Sequence, residues 1–152
     1  MPEDKSRSET GRAGEEAAAR YLSNHGCIIL ARNWQAHPGE VDIIARCSQG
    51  RAAFRDLDSG YLGDNSTQPV LAFIEVRTRH GRDGLAEESI SRRKATSMAG
   101  AAFAYMRANG LDPNATHWRI DLVAIAMSGE DLMGINWVQG AIGEEMVGDV
   151  WE

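Results

Sequence analysis

Glu15, Asp42, Glu75 and Arg77 are the side chains of this sequence whose types and spacing could do chemistry. Glu75 and Arg77 close the stretch Val70-Leu71-Ala72-Phe73-Ile74-Glu75-Val76-Arg77. It is apolar up to Glu75 and too short for an independent helix, so it reads as a buried central strand. Side chains alternate across a strand, which puts Glu75 and Arg77 on the face of Phe73 and turns Ile74 and Val76 the other way. Two residues along a strand span roughly 6.5–7 Å, so both charged tips can reach one small anion or metal ion. Burying an ion without a partner costs several kcal/mol, so these charges must pair, bind something or work. A structural ion pair at a strand end is the plain alternative.

A second charged strand strengthens the chemical reading. In Gly39-Glu40-Val41-Asp42-Ile43-Ile44-Ala45, Glu40 and Asp42 share one face, and Val41 and Ile43 share the other. Ile44-Ala45 continues the run, which places it within a sheet. Carboxylate oxygens suit Mg²⁺, which takes one or two protein carboxylates together with substrate phosphate. Such an ion can activate water, polarise a phosphoryl oxygen and stabilise the leaving oxygen. Two carboxylates on adjacent strands, with a cation two residues after the second, suit phosphodiester hydrolysis. As a pattern this is loose; it gains weight because both acids lie on apolar strands and basic residues follow.

The charge distribution carries that point. Net charge is −6 at pH 7, which gives no general support for binding polyanions. From Arg77 to Lys94, however, six basic residues (Arg77, Arg79, Arg82, Arg92, Arg93, Lys94) meet only three acids (Asp83, Glu87, Glu88). From Glu130 onward there are six acids and no base. A local basic patch can attract phosphate on an acidic protein; a solvated helix start beside a charged loop is the other explanation.

The elements that must position these residues follow from pattern. With 152 residues and 43% hydrophobic content, the chain suits one domain with a real core. Residues 1–10 read as a disordered leader without the form of a secretory signal. Gly11 to Asn24 reads as a helix, with Ala13, Ala17, Tyr21, Ala18 and Leu22 on one side and Gly26 as a left-handed stop. Cys27 to Leu30 is a short strand, Asn33 to Pro38 a turn, and Gly39 permits a sharp entry into the next strand. A long loop spans 47–69, with a hairpin arm near Arg51 to Phe54. Thr78 to Gly84 is a basic loop, and Glu87 to Asn109 a second helix with Met98 and Met106 as core fillers. Trp118 to Met127 is a third long strand, with Arg119 and Asp121 on one face and Trp118, Ile120 and Leu122 on the other. Ser128 to Gly134 is a turn and Ile135 to Val138 a final strand. The expected class is α/β (α+β): one mixed sheet flanked by helices over 11–152.

Other chemistry finds less support. Cys27 reads as a small buried hydrophobe, and nothing argues for an oxidising compartment, so the cytoplasm is the default. His25, Cys27, His37 and Cys47 match no standard zinc spacing. Trp34 reads as packing in a turn rather than stacking on a base. His80 and His117 read as surface residues. No apolar run is long enough to cross a bilayer, and no phosphate-binding glycine loop, serine-hydrolase elbow or catalytic cysteine signature is present.

Taken together, Gly11-x-Ala13-x-Glu15-x-x-Ala18-x-x-Tyr21-Leu22, Gly26, Ala31-Arg32-Asn33, Gly39-Glu40-Val41-Asp42-Ile43-Ile44-Ala45, Phe73-Ile74-Glu75-Val76-Arg77-x-Arg79, Lys94 and Arg119-Ile120-Asp121 resemble the YraN-type family of small bacterial proteins. That family is similar to archaeal Holliday-junction resolvases, within the restriction-endonuclease-like nucleases. The resemblance runs from about Gly11 to Val138. It implies a restriction-endonuclease-like core in which Asp42, Glu75 and the Val76 carbonyl hold Mg²⁺ or Mn²⁺. It also implies that Glu15 completes the site and Glu40 supports it from behind. Arg77 stands where the wider superfamily has lysine. Arginine keeps its proton in proteins, so Arg77 can hold phosphate or stabilise developing charge but is a poor general base. Arg79, Arg92, Arg93, Lys94 and Arg119 are the candidate nucleic-acid contacts, with ion pairing the alternative for Lys94 and Arg119.

The expected function is metal-dependent endonucleolytic hydrolysis of DNA, branched or damaged, with Glu15, Asp42, Glu75 and Arg77 as catalytic candidates. A homodimer is one admissible assembly, and no membrane partner is expected. Two readings compete: a non-catalytic nucleic-acid-binding or assembly module on the same fold, which the arginine at 77 and the acidic net charge favour, and a protein-interaction role without nucleic acid.

Overall fold

The computed structural model describes residues 2–37, 39–48, 69–81 and 90–141. The expected loop at 47–69, apart from its ends, the arm near Arg51 to Phe54, and the basic or acidic residues at 82–88 lie outside the described residues. Among the described residues, five strands form one mixed sheet in the order β1-β2-β3-β4-β5. They are β1 (Cys27–Ala36), β2 (Gly39–Cys47), β3 (Val70–His80), β4 (Trp118–Ser128) and β5 (Asp131–Val138). β3 and β4 run parallel; the other three neighbouring pairs are antiparallel. A parallel pair needs a crossover connection, and α2 (Arg92–Ala108) lies on it. The other helix of the described residues, α1 (Pro2–Asn24), precedes the sheet.

Each helix covers one face. Ala18, Ala19 and Leu22 of α1 are buried with Ile43, Ala45, Ala72, Ile74, Val123, Ile125 and Met127. Met98, Ala101, Ala102 and Met106 of α2 are buried with Val41, Ile44, Leu71, Phe73, Ile120 and Leu122. The alternation expected for β3 and β4 therefore holds. In β2 it breaks at Asp42, since Val41 packs on the α2 side and Ile43 on the α1 side. Both methionines of α2 are core fillers, fully buried.

Element boundaries moved for local reasons. α1 begins at Pro2 rather than Gly11, so the backbone of the expected leader is helical; proline is favoured at a first helical position. α2 begins later than Glu87, at Arg92, because Ser91 caps it by accepting the Lys94 N–H at 3.2 Å. Ile90, just before that cap, is buried in the same cluster as Ala95, fixing the entry of the chain. β1 runs through the expected turn to Ala36, which pairs with Gly39; Asn33 stays in the strand by taking φ 52, which asparagine tolerates. β5 begins at Asp131, since the chain reverses at Gly129, φ 62, not through Gly134. Gly26, at φ 92, ends α1 as expected.

Cys27 is not an isolated buried residue. It faces Cys47 across the β1–β2 ladder, and the two form a disulfide. Trp34 packs edge-on against Tyr105 of α2, 5.5 Å between ring centroids, so it is an aromatic of the core rim. His80 and His117 are exposed. Among the described residues no helix is long and apolar enough to cross a membrane.

Candidate active site

β2 and β3 stay hydrogen-bonded from Cys47 and Val70 up to Ile43 and Ile74, and their pairing ends there. Among the described residues β3 has no strand beyond this point on that side, and it stays paired with β4 through His80. The last two ladder residues are followed by Asp42 on one strand and Glu75 on the other, so the acids stand at the mouth of the notch that opens between the strands. Asp42 Oδ2 accepts the Val76 backbone N–H at 2.8 Å, taking up an amide at the point where the partner strand leaves. The notch encloses about 580 Å³ and is lined by Gly11, Glu15, Asp42, Glu75, Val76, Thr78, Arg79 and His80.

α1 reaches the notch because Gly14 lies directly on Thr78; a Cβ at Gly14 would overlap the threonine side chain. That close approach carries the half-buried Glu15 to Asp42 and Glu75. Gly39 plays the matching part for α2. Its place is set by close approach to the Ser97 backbone carbonyl, which a Cβ would overlap, rather than by a left-handed conformation. α2 in turn brings Lys94 over the sheet, its Nζ 3.7 Å from Glu75 Oε1.

The electrostatics are those of carboxyls withdrawn from water. Burial pushes the Asp42 carboxyl up to about 6; the Val76 N–H opposes this, and the negative charges of Glu75, Glu15 and Glu40 add to it. Glu75 is also raised, chiefly by burial, against the pull of Lys94 and Arg77. Its Oε2 is buried and has no hydrogen-bond partner among the described residues. An orphaned carboxylate oxygen beside a second carboxylate that resists ionisation fits a hard cation. Among the described residues no three His, Cys, Asp or Glu side chains are already grouped as a metal cage; a cation here would draw on Asp42, Glu75 and backbone oxygen.

The structure thus gathers Glu15, Asp42, Glu75, Val76 and Arg79 around one notch, with Arg77 acting on Glu75 electrostatically from the same strand. Glu40 lies in an adjoining pocket of about 330 Å³ with Gln35, His37, Gly39, Lys94 and Ser97. Arg92 and Arg93 are exposed on the first turn of α2. Arg119 is placed elsewhere, at the level of Ala72 on β3. Its Nε is held by both oxygens of Asp121, at 2.9 and 3.0 Å, and its guanidinium lies 5.7 Å from the Trp137 ring centre. There it forms an ion pair, the arrangement its sequence position also allowed.

Two features escaped the sequence reading. Asp121 is fully buried and also receives Trp137 Nε1–H at 3.0 Å and the Gly140 N–H at 2.9 Å, which makes it the anchor of β5 and the following turn. The shared face of Arg119 and Asp121 was visible; the partners on β5 were not. The Cys27–Cys47 pairing depends on register, which no spacing rule supplied.

Comparison with known proteins agrees with the motif reading at the level of family. Residues 14–125 match the model of the uncharacterised protein family UPF0102. A UPF0102 protein of Chloroflexus aurantiacus is 36% identical over 145 residues, covering 95% of this chain and 100% of its own. One from Roseiflexus castenholzii is 41% identical over 122 residues, 80% of this chain and 82% of its own. One from Aliivibrio fischeri is 30% identical over 145 residues, 95% of this chain and 99% of its own. The chain belongs to the UPF0102 family, the YraN-type family its motifs resemble.

Proposed function

We propose that this UPF0102 protein is a divalent-metal-dependent endonuclease acting on DNA, with branched or damaged DNA as the substrate class. The observation that carries the reading is the buried, unpartnered Glu75 Oε2 beside Asp42, at the point where β2 and β3 part. Asp42, Glu75 and the Val76 carbonyl would hold Mg²⁺ or Mn²⁺, with Glu15 close enough to support them. When bound, the ion supplies Lewis-acid stabilisation of the phosphoryl oxygens and a more acidic water.

The chain's own residues do the rest. Arg77, always protonated, neutralises charge on phosphate beside Glu75 and moves no proton. Arg79, at the rim of the notch, with Arg92 and Arg93 on α2, positions the DNA backbone electrostatically.

The test is cleavage of four-way and nicked DNA in Mg²⁺, in Mn²⁺ and in EDTA, by wild type, Asp42→Ala and Glu75→Ala. Metal-dependent cleavage lost in both variants supports the reading; no cleavage of any DNA form, or unchanged cleavage in the variants, removes it.

One observation favours a non-catalytic nucleic-acid-binding module instead. Asp42 and Glu75 each already have a partner within the protein, the Val76 N–H and Lys94. DNA binding that weakens steeply with salt, and is indifferent to divalent ions, would mark that alternative.

A further inference from the structure

The pairing of Lys94 with Glu75 leads further. We infer that Lys94 is a placeholder for the metal: it neutralises Glu75 while no ion is bound and transfers to substrate phosphate when an ion displaces it. The inference rests on the metal-binding reading of Asp42 and Glu75.

Three features of the geometry carry it. First, the contact is loose. The ammonium lies 3.7 Å from Glu75 Oε1, beyond a good N–H···O distance, and serves only one carboxylate oxygen, while Oε2 has no partner. A lysine built to hold Glu75 permanently would serve it better, as Arg119 serves Asp121 with two contacts at 2.9 and 3.0 Å. Second, the side chain has somewhere to go. Lys94 also lines the pocket of about 330 Å³ beside the notch, with Gln35, His37 and Ser97. Its side chain is 34% exposed, and a compact charge on a flexible four-carbon stem can move while the backbone stays fixed by the Ser91 cap. Third, a divalent ion on Glu75 puts like charge against the ammonium, so the two cannot share the carboxylate on equal terms.

The functional consequence is coupling. With the ion absent, Lys94 is spent within the protein; with the ion present, it becomes a phosphate contact next to the notch. Metal and DNA then bind with positive cooperativity, and by linkage each strengthens the other by the same factor.

The experiment measures free Mn²⁺ by electron paramagnetic resonance in titrations of the full chain, without DNA, for wild type, Lys94→Met and Lys94→Arg. Lys94→Met should bind Mn²⁺ about twofold to fivefold more tightly, the factor a partly exposed ion pair commands, while Lys94→Arg stays near wild type. Equal or weaker binding by Lys94→Met overturns the placeholder and leaves the metal reading standing. No binding by any of the three overturns the metal reading and this inference with it. The second arm measures DNA affinity in Ca²⁺ against EDTA. The gain on adding Ca²⁺ should be larger in wild type than in Lys94→Met by about the same twofold to fivefold; an equal gain overturns the transfer to phosphate.

Discussion

Asp42 Oδ2 and the Val76 amide are joined at 2.8 Å just past the end of the β2–β3 ladder. A carboxylate that takes over an amide left by a departing strand is fixed in place without being neutralised by a full charge. This explains how Asp42 can be held in place and yet disfavour ionisation. Its hydrogen bond lowers the pKa, but burial and three neighbouring acids outweigh that bond.

Stability should record this conflict as a pH dependence. The folded-state pKa of Asp42, about 6, lies above its ordinary 3.8, so the folded protein binds the proton more tightly than the unfolded chain. Stability from this group is therefore greatest below 3.8 and is lost as pH rises towards about 6, by at most about 3 kcal/mol. Asp42→Asn keeps an acceptor for Val76 and removes the charge. It should melt at higher temperature than wild type in EDTA at pH 7, with a flatter profile between pH 4 and 6 by circular dichroism. A variant that melts lower at pH 7 would contradict the electrostatic account.

Divalent metal should stabilise wild type and leave the acid variants unmoved. At a hundredfold excess over Kd, a ligand that binds only the folded state adds about 2.7 kcal/mol. Thermal unfolding with and without Mn²⁺ should show a rise in Tm for wild type and none for Asp42→Ala or Glu75→Ala. The same rise in all three would place the ion elsewhere.

The notch acids were legible because their chemistry conflicts with their surroundings: charged ends on apolar strands can be read from residue types alone. The mixed sheet with flanking helices was legible for the same kind of reason, from strand and helix periodicities. What could not be read was set by register and by distant partners. Cys27 and Cys47 needed the β1–β2 pairing, Asp121 needed Trp137 and Gly140, and the role of Lys94 needed the docking of α2 on the sheet. The turn expected at Asn33 failed because a pairing strand can absorb one left-handed asparagine, which composition cannot announce.

Gly39 and Gly14 should be intolerant of a methyl group for different reasons. Gly39→Ala meets the Ser97 backbone carbonyl, which cannot rotate away, and should cost about 1–3 kcal/mol in urea unfolding. Gly14→Ala meets the Thr78 side chain and should lift α1, so it should also weaken Mn²⁺ binding by withdrawing Glu15. Wild-type stability in Gly39→Ala would mean that α2 does not seat on β2 as described.

Arg119 and the two arginines of the first turn of α2 should separate cleanly in binding assays. Arg92→Ala and Arg93→Ala should each reduce the slope of log K against log salt for DNA by about 1. Arg119→Ala should leave that slope unchanged and destabilise the fold by about 1–3 kcal/mol, since the buried Asp121 loses its charged partner and keeps only the Trp137 and Gly140 N–H donors. A changed salt slope with intact stability would return Arg119 to the DNA contacts.

Reduction should loosen the first hairpin. Cys27 and Cys47 close a loop with a sequence separation of 20, and breaking the bond should cost about 2–4 kcal/mol. Urea unfolding with and without dithiothreitol measures it. Cys27→Ser/Cys47→Ser should match the reduced wild type; a reduced protein as stable as the oxidised one would deny the disulfide a stabilising role.

The Val76 amide has a further use. Because its N–H donates to a carboxylate oxygen, its nuclear magnetic resonance signal is sensitive to the charge on that oxygen. One backbone cross-peak should therefore follow the protonation of Asp42 through an acid titration and respond again when a divalent ion arrives. The site carries its own spectroscopic gauge, readable in the unmodified protein without substrate, label at the site or turnover.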